Sequence, residues 1–408
     1  MAGCDISVQK RVLLVLAGLS VFVVFLLFII LDIGVTGNGN HFIRKQQDSA
    51  IQQFEHSVWN QHLRNDIDYN GGRLLTEDNV EILKPLSVEH CQSQRFLVYK
   101  CDSSSYCGGW ADRQKGIVSS FLLALLTNRT FIVDMTSPCK LKKFLLPNIY
   151  NWSMCTAFLE TVSKKNFSYF KYVYGNTRKK FVNQIKSFNF DKNWTKRVVI
   201  LRFNANTING IRQHKQAKTR LKWLMNVTNA EAMHLVLHTL FKPNQRILKD
   251  AVQFYDNRIL GRHLVCSHIR IGKNPSIPAD NTRARKPNET VIFEFLDRYD
   301  DDRKHAIYIA SDSDDIKRHA EIRFKSFVNI NRTIVHIDRL GKLRPFTKEA
   351  CKGFYSVLFE QLILTLCDTL VLTPSGFGTT AAYLRGVSHN LYMFQPETQR
   401  ILKLNVTF

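Results

Sequence analysis

Arg270 is the residue whose type and position suggest the most specific chemistry. It stands in His268-Ile269-Arg270-Ile271-Gly272, directly after a short apolar run at 263–267. A charged side chain at the C-terminal end of a buried parallel strand lies where open α/β sheets take ligands. Its planar fork of N–H donors suits a diphosphate, through two parallel charge-assisted hydrogen bonds. A rim salt bridge is the plainer alternative. A second run, 369–373, leads into Pro374-Ser375-Gly376-Phe377-Gly378-Thr379-Thr380-Ala381-Ala382. This reads as strand, small-residue loop and helix start. Gly376 and Gly378 permit close backbone approach, Ser375, Thr379 and Thr380 carry hydroxyls, and a helix N-terminus favours an anion. The Lys of a phosphate-binding P-loop is missing, so an ATPase reading is poor.

Two further segments carry candidates. A strand at 96–99 runs through Cys101 and Cys107 into Gly108-Gly109-Trp110-Ala111-Asp112-Arg113-Gln114-Lys115-Gly116, followed by an apolar helix expected over 117–126. Paired glycines turn the backbone tightly, and Asp112 and Arg113 would stand at the mouth of that helix. Alternatively, Asp112 serves only the helix dipole. Asp312-Ser313-Asp314-Asp315 follows another strand end. One carboxylate there could hold ribose hydroxyls or a guanine N–H edge. Asp312 is the candidate, with the others as helix-start charges. Asp312 and Asp314 together would instead suit a metal-dependent transferase. Glu231, His234 and His238 share a helix face without a metal motif, so no metal site is expected. The triplet at 300–302 reads as a solvated turn.

The elements that must position these residues form an α/β pattern. Short apolar strands are expected at 95–99, 130–134, 197–203, 263–267, 306–310, 333–337 and 369–373, alternating with helical runs. That alternation indicates parallel sheets covered on both faces. A boundary falls near 242–250, where Pro243 follows the amphipathic helix 231–240.

The N-terminal portion reads differently. Residues 12–31 are uncharged and apolar, long enough to span a bilayer, with Lys10 and Arg11 before them and Asp32 after. The run is too long for a cleaved signal peptide and orients the remainder away from the cytosol. Residues 32–90 read as a stem. A stripe at Ile51, Phe54, Val58 and His62 offers a surface for homodimer formation or for packing on its own domain. Cys4, beside the membrane, is a candidate for palmitoylation. Asn128, Asn151, Asn166, Asn193, Asn226, Asn288, Asn331 and Asn405 head glycosylation acceptor motifs, all beyond the apolar run. Eight of nine cysteines lie there too, and an even number in an oxidising compartment suggests disulfides, although eight allow 105 full pairings. The net charge of +23 fits an anionic partner, and equally a soluble basic surface. Nucleic acid is excluded by the compartment, leaving a sugar nucleotide, an acidic glycan or anionic lipid.

These motifs, in this order, resemble the GDP-fucose fucosyltransferase superfamily. The 108–134 segment looks like the front of the plant xyloglucan-type α1,2 branch. His268–Ile269–Arg270 is similar to the superfamily His-x-Arg, and 375–382 to its Ser-x-Phe-x-x-x-Ala-Ala loop. The resemblance spans roughly residues 95–390. It implies a GT-B-like fold of two Rossmann-like lobes: 91–245 on the acceptor side and 246–408 on the GDP-fucose side. These would follow a tail (1–11), a membrane anchor (12–31) and the stem. It also implies GDP-fucose as donor, a glycan acceptor, inversion, no metal cofactor and a Golgi membrane location. Arg270 matches the arginine on the donor diphosphate. His268, Ser375, Gly376, Phe377, Gly378, Thr379 and Thr380 match donor-binding positions, and Asp312 and Asp338 (or His336) the nucleoside region. Asp112 is the candidate base. The resemblance departs at Lys273, where many relatives carry an acid, and at the Thr379–Thr380 pair, where some carry aromatics. A non-catalytic lectin-like protein on the same fold is the remaining alternative.

Overall fold

The computed structural model describes residues 88–408, except 260, 273–286, 331, 333–334 and 339–346. The expected tail, membrane helix and nearly all of the stem lie outside the described residues. Among the described residues, no helix is long and apolar enough to cross a membrane.

Among the described residues, twelve strands form three sheets. The first holds β1 (Phe96–Cys101), β2 (Thr130–Met135), β4 (Phe167–Tyr172) and β5 (Val198–Phe203), all parallel, in the order β2–β1–β5–β4. β1, β2 and β5 are almost continuously buried, as expected of strands covered on both faces. β4 is half-exposed along its length and forms an edge. A small antiparallel pair joins β3 (Leu145–Pro147) and β6 (Phe241–Pro243). The second large sheet holds β7 (His263–Ile269), β8 (His305–Ser311), β9 (Phe327–Val328), β10 (Thr369–Leu372), β11 (Leu391–Gln395) and β12 (Arg400–Lys403). Its order is β12–β11–β10–β7–β8–β9, parallel except for β12 against β11.

Five helices matter to the site: α1 (Trp110–Leu126), α2 (Asn229–Leu240), α3 (Asp314–Arg323), α4 (Lys348–Thr365) and α5 (Gly376–Arg385). α1 begins earlier than the sequence suggested, so Asp112, Arg113 and Lys115 lie on its first turns rather than in a loop. The reason is Gly116, which reads as a loop glycine but is a packing glycine. A Cβ there would stand 1.9 Å from the Phe203 carbonyl oxygen, so its absence lets the helix lie directly on the end of β5. The strand expected at 333–337 is not formed by the described residues of that segment; Ile337 and Asp338 are helical. The chain turns there toward the first sheet, where the Asp338 carboxylate accepts from the backbone N–H groups of Cys107 (2.8 Å) and Gly108 (3.0 Å).

All described residues fall in one compact unit, and the two large sheets are joined through α1 and α4. Trp110 Nε1 donates to Gln361 Oε1 at 2.6 Å, Gln114 and Gln361 exchange amide hydrogen bonds, and the Trp110 ring meets Phe354 edge-on at 5.4 Å. These polar groups are buried, so leaving one without its partner would cost about 1–3 kcal/mol. A disulfide, Cys139–Cys351, makes a covalent bond at the same junction. Cys91–Cys155 and Cys101–Cys107 lie within the first half, and Cys266–Cys367 links β7 to the end of α4. Of the glycosylation acceptors, Asn128, Asn151, Asn193, Asn226, Asn288 and Asn405 are exposed and Asn166 is half-buried, while Asn331 lies outside the described residues.

Candidate active site

Strand order locates the site. In the first sheet the chain runs from β1 to β2 on one side and later fills β5 and β4 on the other. In the second, β7 leads to β8 and β9, and β10 and β11 then fill the opposite side. Each reversal leaves a crevice at the C-terminal ends of two strands, β1 and β5 in one sheet and β7 and β10 in the other. A cavity of about 610 Å³ is lined from both sheets. Lys115 and Asn206 come from the first, Ser375, Gly376 and Thr379 from the second, and Met233 from α2.

The β7/β10 crevice is tied together by Thr373. Its backbone N–H and its hydroxyl both donate to the His268 carbonyl (3.0 and 3.1 Å), and its hydroxyl accepts from the Arg270 backbone N–H at 2.9 Å. The Arg270 guanidinium pairs with Asp312. Both Asp312 oxygens are also used by backbone, accepting from Ile271 N (2.8 Å) and Gly272 N (2.9 Å). Asp312 therefore holds Arg270 and the turn after β7 in place. The same engagement opposes a metal role for Asp312, and Asp314 sits in the first turn of α3. Among the described residues, no group of three or more His, Cys, Asp or Glu is arranged to hold a metal ion.

α5 presents an open N-terminus. Its N-cap, Ser375, makes no side-chain capping bond, and no acid occupies the first turn. The helix end thus keeps free N–H groups and its partial positive charge directed at the cavity. The threonines do not add donors there. Thr379 and Thr380 give their hydroxyl protons to the carbonyls of Ser375 (2.9 Å) and Gly376 (2.8 Å), so the expectation of hydroxyl donors holds at most for Ser375. Phe377 and Gly378 serve packing: the Phe377 ring lies 5.4 Å from that of His268, and a Cβ on Gly378 would stand 2.8 Å from His268 Nδ1.

His268 supports the helix from beneath, against Phe377 and Gly378. Burial, and then the charge of Arg270, push its imidazole down to about 3. The unfolded chain takes up that proton near 6.5, while the folded chain stays neutral until about 3. Stability contributed by the neutral ring is therefore full above about pH 6.5 and is lost as pH falls through that window. The drop in melting temperature between pH 7.5 and 4.5 is expected to shrink in His268→Gln, as thermal unfolding at the two pH values would show.

On the first-sheet side, Asp112 is half-exposed and pairs with Lys115 at 3.5 Å. Arg113, expected at the mouth, is instead buried, donating to the Gly108 and Ser137 carbonyls with Asp338 close by. Asp338 also accepts from the Tyr174 hydroxyl at 3.2 Å. It is 7% exposed and locks the 107–108 turn. His234 and His238 face the Tyr383 and Leu384 carbonyls and hold α2 on α5, and Glu231 completes a capping box with Thr228. Lys115 and Asn206 escaped the sequence reading. Lys115 stands in the glycine-flanked run already singled out, and Asn206 follows an expected strand by three residues, so strand-end position was the available signal.

No protein-family model matches the chain, and no curated protein matches it. Among solved structures it is similar to a substituted form of FUT1 of Arabidopsis thaliana in complex with GDP, at 14% identity and a TM-score of 0.48, over 83% of this chain and 79% of that one. It is also similar to the NodZ α-1,6-fucosyltransferase soaked with GDP-fucose, at 12% identity and a TM-score of 0.45, over 76% of this chain and 99% of that one. NodZ from Bradyrhizobium in another crystal gives 12% identity and a TM-score of 0.47, with the same coverage.

Proposed function

We propose that this chain is a GDP-fucose-dependent fucosyltransferase that transfers fucose, with inversion, to a glycan hydroxyl. The acceptor position favoured by the xyloglucan-type resemblance is the 2-hydroxyl of a galactose. The observation that carries the reading is the cavity itself: the uncapped N-terminus of α5, adjoining the Arg270 turn, opens into space shared by the crevices of two parallel sheets. That arrangement suits an anionic leaving group on one side and an acceptor on the other.

The chemistry follows from charge. As the bond from the fucose anomeric carbon to the β-phosphate oxygen breaks, negative charge grows on that oxygen. Arg270 and the N–H groups of α5 supply fixed positive partners that need no rearrangement at that moment, which is how such donors lower a barrier. The acceptor oxygen attacks the anomeric carbon from the opposite face and gives its proton to Asp112, the candidate base on the first-sheet side. GDP leaves with the electron pair of the broken bond. The uncharged run at 12–31, the acceptor motifs and the four disulfides support a type II Golgi location with the catalytic part lumenal.

The test is a donor panel on the full-length protein in detergent, with released nucleotide measured for GDP-fucose, GDP-mannose, UDP-galactose and CMP-sialic acid, followed by acceptor glycans. Turnover of GDP-fucose alone, insensitive to EDTA, is expected. Preference for another sugar nucleotide, or activity abolished by EDTA, would overturn the reading, and failure to bind any nucleotide would favour the lectin-like alternative.

A further inference from the structure

We propose that Lys115 is a diphosphate-binding residue delivered to the donor from the opposite sheet. This rests on the reading of the cavity as a GDP-fucose site and adds a contact that the resemblance did not supply. Among the described residues lining the cavity, Lys115 is the single charged one. Arg270, on the neighbouring turn, is already engaged with Asp312. Lys115 projects from α1, yet its ammonium lies 2.9 Å from where a Cβ on Gly376 would stand, at the first residue of α5. A lysine ammonium is thus held against a helix end that itself carries partial positive charge.

That juxtaposition is unfavourable without an anion. Its ion-pair partner among the described residues, Asp112 at 3.5 Å, is half-exposed and offsets little of the repulsion. An anion seated at the N-terminus of α5 would meet the helix N–H groups from one side and the ammonium from the other. Gly376 fits this account, because any side chain there would displace the Lys115 ammonium. A diphosphate satisfies both partners at once. As a flexible point charge, lysine suits a phosphate whose charge grows as the sugar departs. Because Lys115 comes from the first sheet and the α5 N-terminus from the second, donor binding should also draw on both sides of the crevice.

The experiment is calorimetric titration of GDP and guanosine into the full-length protein and its Lys115→Met, Lys115→Gln and Lys115→Arg variants. The Lys115 side chain is 29% exposed and pairs with Asp112, and two neutral variants guard against a folding defect in either. GDP affinity is expected to fall roughly 10- to 100-fold in Lys115→Met and Lys115→Gln, as for loss of a charge-assisted contact. Guanosine affinity should change less than about twofold, and Lys115→Arg should recover most of the GDP affinity. Equal GDP affinity in wild type and both neutral variants would overturn the role of Lys115 while leaving the donor reading intact. A matching loss for guanosine would also overturn it, by placing the effect away from the diphosphate. A wild-type protein that binds no GDP would instead remove the donor reading, and this inference with it.

Discussion

Arg270→Ala is expected to lower kcat/KM for transfer from GDP-fucose by about 10²- to 10³-fold, the usual effect of removing one preorganised donor to a developing anion. Asp312→Asn should fall nearly as far, although Asp312 itself touches no substrate in this account. Both its oxygens accept, one from Ile271 N and the other from Gly272 N and Arg270. A carboxamide offers one accepting oxygen and two donors, so one backbone N–H or the guanidinium must face an N–H. The guanidinium is then no longer held, and the turn after β7 loosens. A positioning role predicts that the double variant is little worse than Arg270→Ala alone, because the pair acts as a unit. Steady-state kinetics on the four proteins give that comparison. Thermal unfolding should show Asp312→Asn destabilised by about 1–3 kcal/mol from the unpaired buried groups. Additive losses would mean that Asp312 acts on something other than Arg270, and unchanged transfer in Arg270→Ala would remove Arg270 from the chemistry.

The second large effect is on folding. Gly116→Ala adds a single methyl group, but that carbon would lie 1.9 Å from the Phe203 carbonyl oxygen and 2.7 Å from its carbon. Those are backbone atoms at the end of a central strand, so no side chain can move aside. Helix α1 must lift from β5, which displaces Trp110 and Gln114 from Gln361 and moves Lys115 away from Gly376. A loss of about 3 kcal/mol or more is expected, at the upper end for overpacking. It would be measured as thermal unfolding of whatever protein is recovered, or as failure to recover any. A variant with wild-type stability would mean that α1 and β5 do not approach as closely as described.

Half of the second sheet was legible, because buried parallel strands read as apolar runs whatever their neighbours. The runs at 263–267, 306–310 and 369–373 became β7, β8 and β10, each within two residues at either end. β4 was missed because an edge strand carries Lys171 and Ser168 among its aromatics and shows no clean apolar run. The start of α1 was misplaced because a glycine permits a turn and a close helix–strand contact equally well, and only the position of Phe203 distinguishes them. Asp338 is legible as a carboxylate following an apolar run, whereas the backbone N–H groups it meets, 230 residues earlier in the chain, are not.

From its own residues the chain determined an α/β architecture, the strand ends that carry Arg270, Asp312 and Ser375, and an even set of cysteines suited to disulfides. These are properties of short segments, where side-chain type and spacing decide the outcome. Only the tertiary structure chose one pairing among 105, placing Cys139 on Cys351. It also assigned the work of each polar group: Asp312 to Arg270, Asp338 to the 107–108 turn, His268 to the underside of α5, and Lys115 to the cavity. Those duties depend on which groups from distant segments come within about 3 Å of one another, a distance that packing sets and that no local pattern encodes.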